Sequence, residues 1–288
     1  MKLRAEHIAS EVSDLASLPD VCLRLNEMVD DPTVSVLALE EVIAQDPALT
    51  ARLLKVANSS IFGQRGGVDS LSRAVMLIGT NAVRDIVLAT SSIQVFARLN
   101  SELVDMHTFW KHSLYNAIVA RTLAAKRRIL NKERLFLMGL LHDIGQLAMF
   151  HTIPDKMSAI FKYAKQQDMS VAEVEKRALG FDHGEVGCQL LKRWNLPEGV
   201  AITTCYHHWP WRAEAYMLET AIIHLADYIA NIAGHSEGKH VATSTVDSQV
   251  WHATGFSESV IDSVISISEE HFLEAKALLL EPLDIQAA

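Results

Sequence analysis

Apolar residues recur along this chain at the three-and-four spacing of amphipathic helices. No stretch shows the strict alternation, bounded by turn pairs, that marks a half-buried strand. After Asp46-Pro47, the positions Leu49, Leu53, Leu54 and Val56 form one stripe. After Ser70, Leu71, Ala74, Val75, Leu77 and Ile78 form the next, and a further helix is expected over 81–96. Asp31-Pro32 and Asp46-Pro47 each set a capping residue before a proline suited to a first helical turn. Phe62-Gly63 and Gly66-Gly67 interrupt the pattern. Past a short joint at Asn100-Ser101-Glu102, the spacing predicts a helix from near Phe109 and others near 133–149, 155–167, 170–178, 182–194, 198–207, 215–232 and 257–280. The start at Asp182 is the clearest, since a capping carboxylate is followed three positions later by Glu185. Gly, Ser, Thr and His crowd 234–248, which reads as a loop. The expected fold is all-α, with a helical bundle over 1–104 packed on a second over 105–288.

Composition narrows the class of protein. With 49% hydrophobic and 21% charged residues, 288 residues are enough to build a substantial core. The formal charge of -9, from 26 basic and 35 acidic residues, gives no overall electrostatic reason to bind nucleic acid. The densest basic run, Lys126-Arg127-Arg128, reads as a solvated helix end beside the negative pole of the helix dipole. Three scattered cysteines, Cys22, Cys188 and Cys205, form no disulfide framework and no CxxC pair, and read as small core residues. No apolar run reaches the roughly 18–20 residues of a membrane span, and the first residues lack an apolar signal core. A cytoplasmic protein with no membrane partner is expected.

The 13 histidines change the picture, because several fall inside apolar segments. Five places hold candidate ligands: His112, His142-Asp143, His183, His207-His208 and Asp227. The pair His142-Asp143, inside Gly139-Leu140-Leu141-His142-Asp143-Ile144-Gly145, is the hardest to explain as ordinary packing. An imidazole and a carboxylate buried side by side each need a partner. A divalent cation is one solution, and hydrogen bonds to neighbouring helices are another. Imidazole and carboxylate together suit zinc, iron(II), manganese or nickel, and neighbouring ligands can hold one ion or bridge two. Taken singly, His112 beside Trp110, Asp227 and the His207-His208 helix end also have plain structural readings. His151, His224, His235, His240, His252 and His271 read as structural or surface residues.

In their order, His112, His142-Asp143 and Asp227 resemble the metal-binding pattern of the HD superfamily of metal-dependent phosphohydrolases. His183 and His207-His208 resemble the additions of its two-metal branch, which includes the HD-GYP phosphodiesterases. The first half resembles the HDOD domain through Leu18-Pro19, Asp31-Pro32, Asp46-Pro47-Ala48-Leu49-Thr50, Leu53-Leu54-Lys55-Val56-Ala57-Asn58-Ser59, Phe62-Gly63 and Leu77-Ile78-Gly79. The likeness covers about 15–230. It implies a bacterial, all-helical signalling protein. It also implies a first ion held by His112, His142, Asp143 and Asp227, and a second completed by His183, His207 and His208 with Asp143 as the bridge. No residue stands out as a general acid. Catalytic relatives read Ile-Gly-Lys where this chain has Ile144-Gly145-Gln146, and Trp209-Pro210-Trp211 follows the histidine pair where Gly-Tyr-Pro would stand. Two functions stay open on this reading: hydrolysis of a nucleotide-like phosphoester, or a binding module that recognises a ligand or protein without turnover. With no sensor or receiver segment in the sequence, a partner protein is expected to deliver the signal.

Overall fold

The computed structural model describes residues 3–62, 67–97, 105–235 and 246–280. Among them there is no strand. The first half comprises α1 (Ala5–Leu15), α2 (Asp20–Val29), α3 (Val36–Ala44), α4 (Pro47–Ala57), α5 (Leu71–Ile78) and α6 (Thr80–Ala97). The second half begins with α7 (Met106–Lys126), α8 (Lys132–Leu141), α9 (Ile144–Thr152), α10 (Pro154–Gln167) and α11 (Val171–Leu179). It continues through α12 (His183–Arg193), α13 (Glu198–Tyr206), α14 (Met217–Ile232), α15 (Ser248–Thr254) and α16 (Ile261–Leu279). The all-α expectation holds. No single helix among the described residues is long and apolar enough to cross a membrane. The joint at Asn100-Ser101-Glu102 and most of the 234–248 loop lie outside the described residues.

Side-chain caps fix six of the helix starts among the described residues. Asp46 Oδ1 accepts from the Leu49 amide at 2.9 Å, with Pro47 in the first turn of α4. Asp182 Oδ1 accepts from the Glu185 amide at 2.9 Å while Glu185 Oε2 accepts from the Asp182 amide at 3.1 Å, a complete capping box. Asp31-Pro32 starts no helix. Asp31 Oδ1 instead closes a turn on the Thr33 amide at 2.8 Å, and Ser35 caps α3. The expected helix over 133–149 is two helices, broken at His142-Asp143. Asp143 leaves helical geometry at φ -99°, ψ 7°.

α7 is buried over most of its length, from Phe109 to Ala124, and packs on α8, α14 and α16. One continuous apolar cluster runs through both halves. α1, first in sequence, lies across α9 and α12 of the second half. Trp194 at the end of α12 donates its indole N–H to the Ala16 carbonyl at 3.1 Å and meets Phe96 edge-on at 5.6 Å. Buried Arg84 on α6 bonds Asp85 at 3.1 Å and Asp30 at 2.9 Å, and Arg134 of α8 approaches Asp85 at 3.6 Å. These contacts hold the first half against the helices that carry the histidines.

Candidate metal centre

Two close helix crossings shape the centre. At Gly139 on α8, an added Cβ would lie 2.8 Å from Ala117 Cα, so α8 rests directly on the α7 backbone one turn from His112. At Gly145 on α9, an added Cβ would lie 1.9 Å from the His183 carbonyl oxygen and 2.6 Å from the Gly187 amide nitrogen. No other residue type fits there with the helices in place. The two crossings bring the α8–α9 break, which carries His142 and Asp143, against α7 on one side and the first turn of α12 on the other. His207 follows α13, His208 comes next, and Asp227 projects from α14. All seven ligands expected from the sequence meet at this junction.

The geometry divides them around Asp143. Its Oδ1 lies 3.2 Å from His183 Nε2 and 3.5 Å from His207 Nε2. Its Oδ2 lies 3.4 Å from His142 Nε2 and 3.9 Å from His112 Nε2. Asp227 Oδ1 stands beside the second group, 3.1 Å from His112 Nε2 and 3.8 Å from His142 Nε2. His208 Nε2 completes the first group, 2.9 Å from His183 Nε2. Two sets thus have donor atoms close enough to hold an ion: Asp143, His183, His207 and His208, and separately His112, His142 and Asp143.

Outer partners orient the rings. His142 Nδ1 donates to the Gly139 carbonyl at 2.7 Å, His207 Nδ1 to the Thr204 carbonyl at 2.8 Å, and His112 Nδ1 to the His235 carbonyl at 3.3 Å. His183 Nδ1 donates to Glu175 Oε2 at 2.7 Å. A carbonyl or carboxylate can only accept, so each Nδ1 carries its proton, and a ring with no second proton turns its Nε2 lone pair inward. His207 Nε2 is buried there with no hydrogen-bond partner. The His142 bond lies at the end of α8, beside the point where Asp143 leaves helical geometry.

Burial and charge pull the rings in different directions. Burial alone would lower the His183 pKa, but the Glu175 and Asp143 carboxylates outweigh it and hold the imidazole well above its usual value. His207 is pushed down mainly by burial. His208 goes further down, by burial and then by the neighbouring His207 and His183. Asp227 stays below the usual carboxylate range: burial opposes this, but the hydrogen bond and charge of His112 and the charge of His142 prevail. Five of the seven ligands are at most 4% exposed, while Asp227 and His208 are partly open.

Over residues 15–210 the sequence matches the pattern that defines the HDOD domain. The chain belongs to the HDOD domain family. The match stops short of Asp227 and of the expected limit near 230. An HDOD domain protein of unknown function from Geobacter sulfurreducens superposes with a TM-score of 0.77 at 25% identity, covering 96% of this chain and 98% of that one. A Shewanella amazonensis SB2B chain provisionally named a phosphohydrolase superposes at 0.72 with 24% identity, covering 94% and 97%. An uncharacterized Treponema pallidum (strain Nichols) protein is 24% identical over 204 residues, 71% of this chain and 39% of that one. The HDOD chain therefore spans well under half of that relative.

Several residues around the centre were not anticipated as participants. Glu175 is fully buried on α11 behind His183. Asn116 Nδ2 lies 3.5 Å from His142 Nε2, and Gln146 Nε2 lies 3.5 Å from His183 Nε2. His224 and His235, read as structural, form the layer behind the ligands. His224 Nδ1 donates to the His207 carbonyl at 2.7 Å, and the His235 ring stacks on Tyr115 at 3.7 Å. Glu175 left a signal in the sequence: it sits three positions after Ala172 and four before Leu179, on the stripe α11 turns inward. Lys126, Arg127 and Arg128 are exposed at the end of α7, as read from the sequence. His240 lies outside the described residues.

Proposed function

We propose that this HDOD chain holds two divalent cations about Asp143 and hydrolyses a phosphoester of nucleotide type. The observation that carries the reading is the division of Asp143, whose two oxygens face separate histidine sets at 3.2–3.5 Å and 3.4–3.9 Å. His112, His142 and Asp227 would hold one ion, and His183, His207 and His208 the other. Iron, manganese, zinc or nickel fits such donors. Ions held by these residues would supply polarisation of a phosphoryl oxygen and a water made nucleophilic at neutral pH. The protein's part is orientation and water exclusion. Outer bonds fix the rings, apolar helices surround them, and the two least buried ligands, Asp227 and His208, belong to different sets. A phosphoester entering on their side would face both halves.

Metal analysis of purified protein tests the reading, followed by hydrolysis assays on phosphomonoesters, nucleotides and cyclic dinucleotides. Two equivalents of metal and turnover are expected, both abolished by Asp143→Asn. Absence of stoichiometric metal would overturn the proposal. Gln146 favours a second reading. It is buried beside His183 where a cation would assist a phosphate, and a neutral amide supplies no charge. Two bound metals with no turnover on any substrate would make the chain a metal-stabilised signalling module that acts through a protein partner.

A further inference from the structure

The two ligand sets are not equivalent in charge. The His112 and His142 side has Asp227 as a carboxylate of its own, whereas the His183, His207 and His208 side shares only Asp143. The difference extends outward. His112 and His142 donate Nδ1 to neutral backbone carbonyls, as does His207. His183 alone donates to a carboxylate. That carboxylate, Glu175, is 0% exposed. Its Oε2 accepts from His183 Nδ1 at 2.7 Å and from the His183 backbone amide at 2.9 Å. Its Oε1 is buried without a hydrogen-bond partner. A buried carboxylate is costly to retain for packing alone.

Resting on the two-metal reading, we infer that Glu175 is the positioning residue that makes the three-histidine half able to hold a divalent cation. It does so in two ways. One oxygen grips both the backbone and the ring of His183, which fixes the ring against rotation while Nε2 faces Asp143. The full negative charge behind the imidazole raises the basicity of Nε2 and supplies the compensating charge that this half lacks. A residue holding only the fold would leave the two halves equally affected when changed. Glu175 ties its effect to one half.

The experiment is cobalt(II) titration of the full chain by calorimetry and visible absorption, comparing wild type with Glu175→Gln and Glu175→Asp. Wild type is expected to take up two equivalents. Glu175→Gln keeps an amide oxygen to accept one bond but loses the charge. It should bind one equivalent at wild-type affinity and the second about 10–100-fold more weakly. The absorption bands of the weaker site should disappear at one equivalent. Glu175→Asp, which keeps the charge, should recover part of the second affinity. Two equivalents at wild-type affinities in Glu175→Gln would overturn the inference while leaving the two-metal reading intact. Equal weakening of both sites with a lowered unfolding midpoint would overturn it in favour of a purely structural role. A wild type that takes up no cobalt would overturn the two-metal reading and this inference with it.

Discussion

Replacing Gly145 by alanine adds one methyl group at the tightest crossing around the centre. The new Cβ would lie 1.9 Å from the His183 carbonyl oxygen, where ordinary contact begins at 3.4 Å. The nearest atoms it meets, the His183 carbonyl oxygen and the Gly187 amide nitrogen, are both backbone, so no side-chain rotation relieves the clash. α9 and α12 must separate by about 1.5 Å, or one helix must tilt by as much. Overpacking of this kind costs up to about 3 kcal/mol. Exchanging glycine for alanine inside a helix returns about 1 kcal/mol. The net expectation is a loss of about 2 kcal/mol, read as a lower urea midpoint with an unchanged m-value. The same movement carries Asp143, two residues away, from its 3.2 Å approach to His183. Ligand geometry tolerates about 0.5 Å, so metal affinity of the three-histidine half should fall as well. Gly187→Ala is the internal comparison. Its Cβ meets first a Thr204 methyl at 2.7 Å and then the Gly145 nitrogen at 3.2 Å, so it should cost less. A Gly145→Ala protein as stable as wild type, with unchanged metal uptake, would refute the argument.

Three further outcomes follow from the contacts described. Trp194→Phe leaves the buried Ala16 carbonyl without its donor and should cost about 2 kcal/mol in urea unfolding. Arg84→Met leaves Asp85 buried with only the longer Arg134 contact, and should cost about 3 kcal/mol by the same measurement. In metal-free protein, His208 is held neutral by burial and by the adjacent histidines, so its folded pKa lies below its unfolded value. As the pH falls below about 6.5, the unfolded chain takes up a proton that the folded chain refuses, which favours unfolding. His208→Gln should therefore gain stability relative to wild type between pH 7.5 and 5.5, and a pH-independent difference would contradict this.

How much of the fold could be read from the sequence depended on the range of the forces involved. Helix starts with a local cause were legible: Asp46, Ser70 and Asp182 all cap the helices expected of them. Asp31-Pro32 misled because Asp31 closes a turn on Thr33 and Ser35 caps better four residues on. The break at His142-Asp143 escaped because apolar periodicity runs through 133–149 without interruption. At the break the His142 ring bonds the Gly139 carbonyl and Asp143 leaves helical geometry, and periodicity records neither. The seven candidate ligands were named from residue type and order, and the fold brings them together. Their division into two sets about Asp143 came from the family resemblance and not from spacing, since it depends on backbones crossing at Gly139 and Gly145, far apart in sequence from Ala117 and His183. Glu175 could be placed on the inward stripe of α11, but its pairing with His183 could not, because that partner lies on another helix.

The protonation pattern is what separates this cluster from a set of packed histidines. In a structural cluster, donors face acceptors. Here four rings commit their Nδ1 protons outward, so without a second proton their Nε2 atoms face inward as acceptors. Opposite them stand the carboxylates of Asp143 and Asp227, which when ionised also only accept. Protons could relieve the surplus only by making imidazolium ions. Burial pushes His207 and His208 away from that charge, while His183 is drawn toward it by two carboxylates. A proton on His183 satisfies Asp143 Oδ1 and His208 Nε2 at 3.2 Å and 2.9 Å, but leaves His207 Nε2 facing the same carboxylate oxygen as a second acceptor. A cation in that position would be shared by all four groups at once, which a single proton cannot be. The acceptor surplus is therefore a stronger argument for metal than the count of histidines, because it depends on where each ring has already placed its proton.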